Sequence, residues 1–378
     1  MVREMRRIYL DYNASTPTDP RVADAMRAAA GDAYGNPSSP HWAGTPAKDI
    51  VENSRRQIAT LLSCKPEEIV FTSGGSEANN AALKGVFYAR RSSAAHLITT
   101  QIEHPSILSP CDFLERQGAR ITNLAVDGMG CIDPEDLRRA ITRDTILISV
   151  MHANNEVGTI QPVEACARIA RDHGIPFHTD AAQSVGKIST QVDALGVDLL
   201  SIAGHKLYAP KGVGALYVRG GTRLEPLIHG AGHERGRRAG TESAALAAGL
   251  GAACELASHL SPVEHVRELR DRLWTSLRDR LGERVVLNGH PERCLPNTLN
   301  VSFVGRTGAD VLADLAGVAA STGSACHSGR SEISPVLRAM GVSEEVGLGA
   351  VRFSLGRATT AEEIDEVIER IAGALTHA

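Results

Sequence analysis

The sequence predicts an α/β protein: a largely parallel sheet wrapped by helices, followed by a smaller α+β domain. Three observations predict it. Short apolar strand patterns alternate with helical ones through the first two thirds, as in a parallel sheet covered on both faces. The final third changes character, opening with a long charged helix and continuing into strands with flanking helices. The 378 residues exceed one typical core and fit about two domains.

The elements follow in chain order. Asp49 to Leu62 carries Ile50, Ile58, Leu61 and Leu62 at helical spacing. Ile69 to Thr72 is a short strand that runs into Gly74-Gly75. Glu77 to Arg90 is helical, with Ala78, Ala81, Ala82, Val86 and Phe87 on its apolar side. Leu97 to Thr100 and Thr145 to Met151 read as buried strands. Pro162 to His173 is a helix closed by Gly174 as its C-terminal cap. Strands return at Pro176 to Thr179, Asp198 to Ile202 and Val213 to Val218. The last third begins with the charged helix Val263 to Leu281. Strands Val285 to Leu287, Thr298 to Phe303 and Val351 to Leu355 follow, with helices near Gly308 to Leu315 and Ala361 to Leu375. The boundary falls inside Thr241 to His259. A large domain is assigned to 14–250, and a small one to 1–13 with 251–378.

Composition narrows the function classes. Hydrophobic residues make up 43% and charged residues 22%, which is ordinary for a globular chain. A net charge of −4 does not suggest a protein that coats nucleic acid, and no direct nucleic-acid binding is expected. No run of about 18 apolar residues exists, so no membrane span is expected. The basic start, Met1 to Arg7, lacks the apolar core of a signal peptide, so a cytoplasmic location is expected. Seven cysteines, without a Cys-x-x-Cys pair, argue against a disulfide framework or a zinc site. Most read as small buried residues, and no metal ligand set is expected.

Ligands in such sheets gather at the carboxyl ends of the strands. At the first, Thr72-Ser73-Gly74-Gly75-Ser76-Glu77 takes a strand through a glycine pair into a helix start, whose free N–H groups suit a phosphate. No Walker lysine or GxGxxG accompanies it, and a plain structural turn reads these residues equally well. Asp180 ends an apolar strand and suits a protonated ring nitrogen, or equally the cap of a following helix. Lys206 follows Leu199-Leu200-Ser201-Ile202-Ala203-Gly204-His205. Alone it reads as a surface lysine; partly desolvated, it is the residue type that forms Schiff bases. Pyridoxal phosphate needs such a lysine, an acid for its ring nitrogen, a phosphate cradle and a group against its ring face. Ser76, His104, Asp180 and Lys206 supply these in order.

At this point the motifs resemble the pyridoxal-phosphate-dependent cysteine desulfurases of iron–sulfur and nitrogenase cofactor assembly, within the class V aminotransferase-fold group. The resemblance spans nearly the whole chain. It includes Tyr9-Leu10-Asp11-Tyr12-Asn13-Ala14, Gly35-Asn36-Pro37-Ser38-Ser39, Glu103-His104, Asn154-Asn155-Glu156, Gly204-His205-Lys206, Gly232-His233-Glu234-Arg235-Gly236, Ser324-Ala325-Cys326 and Arg352-Phe353-Ser354. It implies fold type I of the pyridoxal-phosphate transferases, with a mostly parallel seven-stranded sheet. It also implies roles. Lys206 resembles the cofactor-holding lysine, Asp180 the partner of the ring nitrogen, and His104 the stacking residue and proton carrier. Asn155 and Gln183 resemble partners of the phenolic oxygen or the substrate carboxylate. Gly75, Ser76 and His205 resemble phosphate ligands, and Thr241 one donated by the second subunit of a homodimer. Arg352 resembles the clamp for the substrate carboxylate, where a guanidinium fits bidentately.

Cys326 resembles the nucleophile that takes sulfur from L-cysteine, leaving L-alanine and an enzyme persulfide for a protein acceptor. Its setting, Ser321 to Gly329, is small and polar, which suits a loop that carries a persulfide. Two departures stand out. Ala203 sits where relatives often have a hydroxyl, which removes one phosphate hydrogen bond, about 1–2 kcal/mol. The sequence ends at Ala378, short of the C-terminal tail of housekeeping relatives, which favours a specialised acceptor. Iron–sulfur assembly, tRNA thiolation and DNA phosphorothioation all fit. Rival readings are a selenocysteine lyase, a class V aminotransferase or lyase that does not use the thiol, and a non-catalytic dimeric partner.

Overall fold

Strands form where short apolar runs are bounded by turn residues, and seven of them join one sheet. The structure, a computed structural model, describes residues 6–90, 94–258, 261–322, 326–327 and 330–376. After β1 (Ile8–Tyr9) come β2 (Ile69–Thr72), β3 (His96–Thr100), β4 (Arg120–Leu124) and β5 (Thr145–Ser149). β6 (Phe177–Asp180), β7 (Leu199–Ala203) and β8 (Gly214–Val218) complete the large sheet, in the order β2-β8-β7-β6-β5-β3-β4. All pairings from β4 to β7 are parallel, and β8 runs antiparallel to both of its neighbours. This is the mostly parallel seven-stranded sheet of the expected fold.

Adjacent residues in these strands feed opposite faces, as the pleat requires. Ile98, Leu200 and Tyr217 enter one apolar cluster, whereas Leu97, Leu199 and Leu216 enter another. The first cluster also takes Val51, Ile58 and Leu62 from the helix Gly44–Leu62, and Leu250 and Cys254 from the helix Ala244–Ala257. The helix Gly44–Leu62 starts five residues before the apolar spacing begins. The second cluster takes Ala82, Val86 and Phe87 from the helix Gly75–Ala89.

A second, antiparallel sheet follows. β9 (Val285–Asn288), β10 (Thr298–Phe303), β12 (Ser321–Thr322) and β15 (Ala350–Ser354) line up as β12-β15-β10-β9. β1 pairs in parallel with β11 (Val318–Ala319), so the chain start is stitched to its last third. β13 (Cys326–His327) and β14 (Arg330–Ser331) form a small ribbon. Ile8 and Leu10 share a core with Leu273, Val301, Phe353 and Ile364. Among the described residues no helix is long and apolar enough to cross a membrane. The six cysteines whose side chains are described are free; four are buried, while Cys64 and Cys294 are partly exposed.

Candidate functional site

β2, β3, β5, β6 and β7 run the same way, so their carboxyl ends meet along one edge of the sheet. The residues that follow them line a cavity of about 610 Å³. Gly75 and Ser76 come from β2, His104 from β3, Asn155 from β5, Asp180 from β6 and Lys206 from β7. Gln183, His205 and Arg352 complete the set.

Lys206 closes a short 3-10 turn, Gly204–Lys206, directly after β7. Its Nζ donates to two backbone carbonyls, Asn13 O at 2.5 Å and Ala14 O at 2.8 Å. Burial and then the nearby Arg352 guanidinium pull its pKa down to about 8, against the opposing pull of Asp11 and Asp180. A minor fraction of this amine, far more than of an ordinary lysine, is therefore neutral near pH 7. His205 beside it is pushed to about 4 by burial first and by Lys206 next, so it stays uncharged.

Asp180 is buried, and both of its oxygens are held. Oδ1 accepts the Ala182 amide at 2.9 Å and Oδ2 accepts Asn79 Nδ2 at 2.7 Å. Asn79 Nδ2 also donates to Ser106 Oγ at 2.8 Å. Ser106 in turn contacts His104 Nδ1 at 2.8 Å through its hydroxyl, and its backbone N–H donates to the same nitrogen at 3.1 Å. A nitrogen that accepts a backbone N–H carries no proton, so the neutral ring holds its proton on Nε2. Burial lowers the His104 pKa, Asp180 raises it and Lys206 lowers it. The ring caps the helix Pro105–Arg116, which fixes it at the mouth of the cavity.

The glycine pair shapes the start of the helix. Gly74 caps the helix Gly75–Ala89 at φ +147, a conformation that side chains rarely adopt. A Cβ on Gly75 would stand 3.1 Å from Ala203 Cβ, so backbone and strand end approach closely here. The opening N–H groups of that helix have no intrahelical partner. Arg352, on β15, enters from the second sheet. Its Nη1 donates to Asn155 O at 3.0 Å and its Nη2 to Asp11 Oδ1 at 2.7 Å, while Nε is buried without a partner among the described residues.

Residues 8–367 match the model of the aminotransferase class-V family. The chain belongs to that family. A curated member, cysteine desulfurase IscS of Dictyoglomus turgidum, is 48% identical over 373 residues, covering 97% of this chain and 94% of the relative. Among solved structures, a NifS-like protein superimposes with a TM-score of 0.92 at 37% identity, over 98% of this chain and all of that one. SspA in complex with cysteine gives a TM-score of 0.83 at 38% identity, over 93% of this chain and all of that one.

Two expected class-V site residues stand apart. Thr241 is exposed and does not line the main cavity. It borders a second one of about 230 Å³, which shares Ser73 and Gly212 with the first. Within one chain, therefore, Thr241 is not a member of the Lys206 site. Cys326 contributes backbone to β13, but its side chain lies outside the described residues, as do Gly323, Ser324, Ala325, Ser328 and Gly329.

The structure adds residues that strand-end reasoning missed. Asn13 is a hub: its carbonyl receives Lys206, and its Nδ2 donates to Thr298 Oγ1 at 2.8 Å and Asn155 O at 3.2 Å. Asn79 joins Asp180 to Ser106. Asp11 holds Arg352. Asn13 and Asp11 sit inside a motif noted in the sequence and Asn79 in the helix after the glycine pair, yet their partners lie up to 341 positions away. No local pattern signals such pairs.

Proposed function

We propose that the chain is a pyridoxal-phosphate-dependent cysteine desulfurase, which releases L-alanine from L-cysteine and keeps the sulfur as a persulfide on Cys326. One observation carries the reading: a lysine amine of lowered pKa, a fixed carboxylate and an incompletely paired guanidinium face one cavity. The names of the relatives support the same activity.

The residues present fit the cofactor. Asp180, held by two donors, suits a protonated ring nitrogen. His104 stands where it can cover a ring face. Gly75, Ser76 and His205 suit the phosphate, with Thr241 supplied by the other subunit of a homodimer. Asn155 and Gln183 suit the phenolic oxygen. Lys206 provides the amine for attachment. The buried, unpaired Nε of Arg352 suits a carboxylate of the substrate.

Bound pyridoxal phosphate supplies a sink for the electrons of the bond broken at the substrate Cα. Lys206 Nζ accepts the Cα proton, a task that its lowered pKa suits. Arg352 holds the α-carboxylate and fixes which bond faces Lys206. The Cys326 thiolate attacks the substrate sulfur: an S–S bond forms and the Cβ–S bond breaks. Its electron pair stays with Cβ, which takes a proton and becomes the alanine methyl group, while Lys206 Nζ gives its proton back to Cα. The persulfide then passes to a protein acceptor in iron–sulfur assembly or a related thiolation pathway of the cytoplasm.

We also read the chain as two domains, the smaller formed by 1–13 and the last third. The helix Ala244–Ala257 runs unbroken through residue 250 and packs into the first core as far as Ala257. That supports reading this helix with the larger domain, within the expected boundary region Thr241 to His259.

The test is direct. Protein loaded with pyridoxal phosphate should show a visible band near about 400 nm that Lys206→Ala abolishes. Alanine should form from cysteine, and Cys326→Ser should stop it. Alanine release confined to selenocysteine would replace this reading with a selenocysteine lyase.

A further inference from the structure

Behind Lys206 lies a second lysine that the reaction above does not use. Lys187 lines a small cavity together with Lys206 and is not among the residues that line the main one. Its surface is partly exposed, but its amine turns inward. Nζ lies 3.0 Å from Gln183 Oε1 and 3.4 Å from Asn13 Oδ1. Burial first, then the positive charges of Lys206 and Arg352, push its pKa down to about 7. An amine held at such a cost needs a structural reason.

The two amides it touches are oriented from both sides. Gln183 Nε2 donates to Asn13 O at 3.0 Å, and Asn13 Nδ2 donates to Asn155 O at 3.2 Å. Backbone carbonyls only accept, so the NH2 ends must face them. A lysine amine is the natural donor for the oxygen ends. Asn297 Nδ2 reinforces this at Asn13 Oδ1, at 2.9 Å. Reversing Gln183 would set an NH2 group against Lys187 and an oxygen against a carbonyl. The orientation is thus fixed by chemistry as well as by shape.

We propose that Lys187 is a positioning residue that locks the Gln183 amide so that Gln183 offers the main cavity an N–H donor and never its oxygen. Gln183 has two N–H bonds; Asn13 O takes one, and the other is left for a ligand. The ligand atom it selects is an acceptor, an anionic oxygen by preference. Under the functional reading above, on which this inference rests, that atom is the phenolic oxygen of pyridoxal phosphate. The same anchor steadies Asn13, whose carbonyl seats Lys206.

The experiment titrates the visible band of the loaded protein against pH. An N–H donor to the phenolic oxygen favours its ionised form and lowers the midpoint. Gln183→Leu removes the donor and sets the full upward shift. Lys187→Met should raise the midpoint by about one pH unit, as far as Gln183→Leu does. The double variant should shift no further, because both changes remove one interaction. Lys187→Gln keeps an N–H donor for Gln183 Oε1 and should hold the wild-type midpoint. A folded Lys187→Met protein with the wild-type midpoint overturns the proposal, as do shifts that add in the double variant. If Lys187→Met does not fold, Lys187→Gln decides: a midpoint that moves with Gln183→Leu overturns it. A wild-type protein lacking the Lys206-dependent band overturns the functional reading and this inference together. A band that is present but unmoved in Lys187→Met overturns only the role of Lys187.

Discussion

Ser321 and Arg352 sit opposite each other on antiparallel strands and share one acceptor: Asp11 Oδ1 receives Ser321 Oγ at 2.9 Å and Arg352 Nη2 at 2.7 Å. A single carboxylate therefore ties the proposed substrate clamp to the segment that leads in sequence to Cys326. The contact also turns the guanidinium so that Nη1 meets Asn155 O and Nε stays unpaired. Asp11→Ala should loosen both arms. Charge-assisted hydrogen bonds of this kind contribute about 1.5–3 kcal/mol. We expect kcat/KM for cysteine to fall by about tenfold or more, mostly through KM, in steady-state assays of alanine release.

Lys206 gives a pH prediction. Its amine attaches a cofactor aldehyde only when neutral, and burial beside Arg352 brings its pKa down to about 8. The rate at which cofactor-free protein takes up pyridoxal phosphate should rise with pH and level off above about 8. Stopped-flow growth of the visible band measures it. A midpoint at the ordinary lysine value would show that the Lys206 seat does not desolvate the amine.

Glu103 precedes His104 and is fully enclosed. Its Oε1 accepts the Met151 amide at 2.7 Å and Thr100 Oγ1 at 3.1 Å, while Oε2 has no partner among the described residues. Burial raises its pKa to about 8. The folded carboxyl is therefore protonated at pH 7, whereas the unfolded one ionises above about 4.3. Its contribution to stability is fully present below the unfolded value and is lost as pH rises towards 8. The slope is at most about 1.4 kcal/mol per pH unit. Glu103→Gln should remove this loss and gain on wild type between pH 5 and pH 8, in denaturant titrations at each pH.

The Gly232 to Gly236 motif has a structural reason. Glu234, at φ +47, sends its carboxylate into the body of the protein, where Arg55 Nη1 and Nη2 meet its two oxygens at 2.8 Å each. The Phe71 amide adds a third bond at 2.8 Å, so the pair also clamps β2, the strand that feeds Gly75. Removing one partner of a buried pair leaves the other charge unpaired. Glu234→Ala should cost about 3–5 kcal/mol, read as a lower denaturation midpoint.

Much of this architecture was legible in the sequence because strand ends and cofactor chemistry constrain each other. Lys206, Asp180 and His104 follow apolar strands, and the structure brings them to one cavity. The missed elements carry weaker local signals. β4 lies at a sheet edge and buries only Leu124, so it shows no apolar run. The helix Pro105–Arg116 holds Pro110 inside it, a residue that ordinarily argues against a helix. The helix Pro20–Asp32 buries only Val22 and Ala29, although Asp19 and Pro20 mark its start. Asn13 and Lys187 were illegible for another reason: they act on backbone carbonyls and amides brought together only by the fold.

The central claim is that Lys206 and Cys326 act in one sulfur transfer. Single-turnover assays with L-cysteine test it most directly, following alanine and protein-bound sulfane sulfur together in wild type, Lys206→Ala and Cys326→Ser. Wild type should yield one persulfide at Cys326 for each alanine, and both variants should yield neither, with Cys326→Ser still showing the visible band. Alanine release at the wild-type rate from Cys326→Ser would contradict the account.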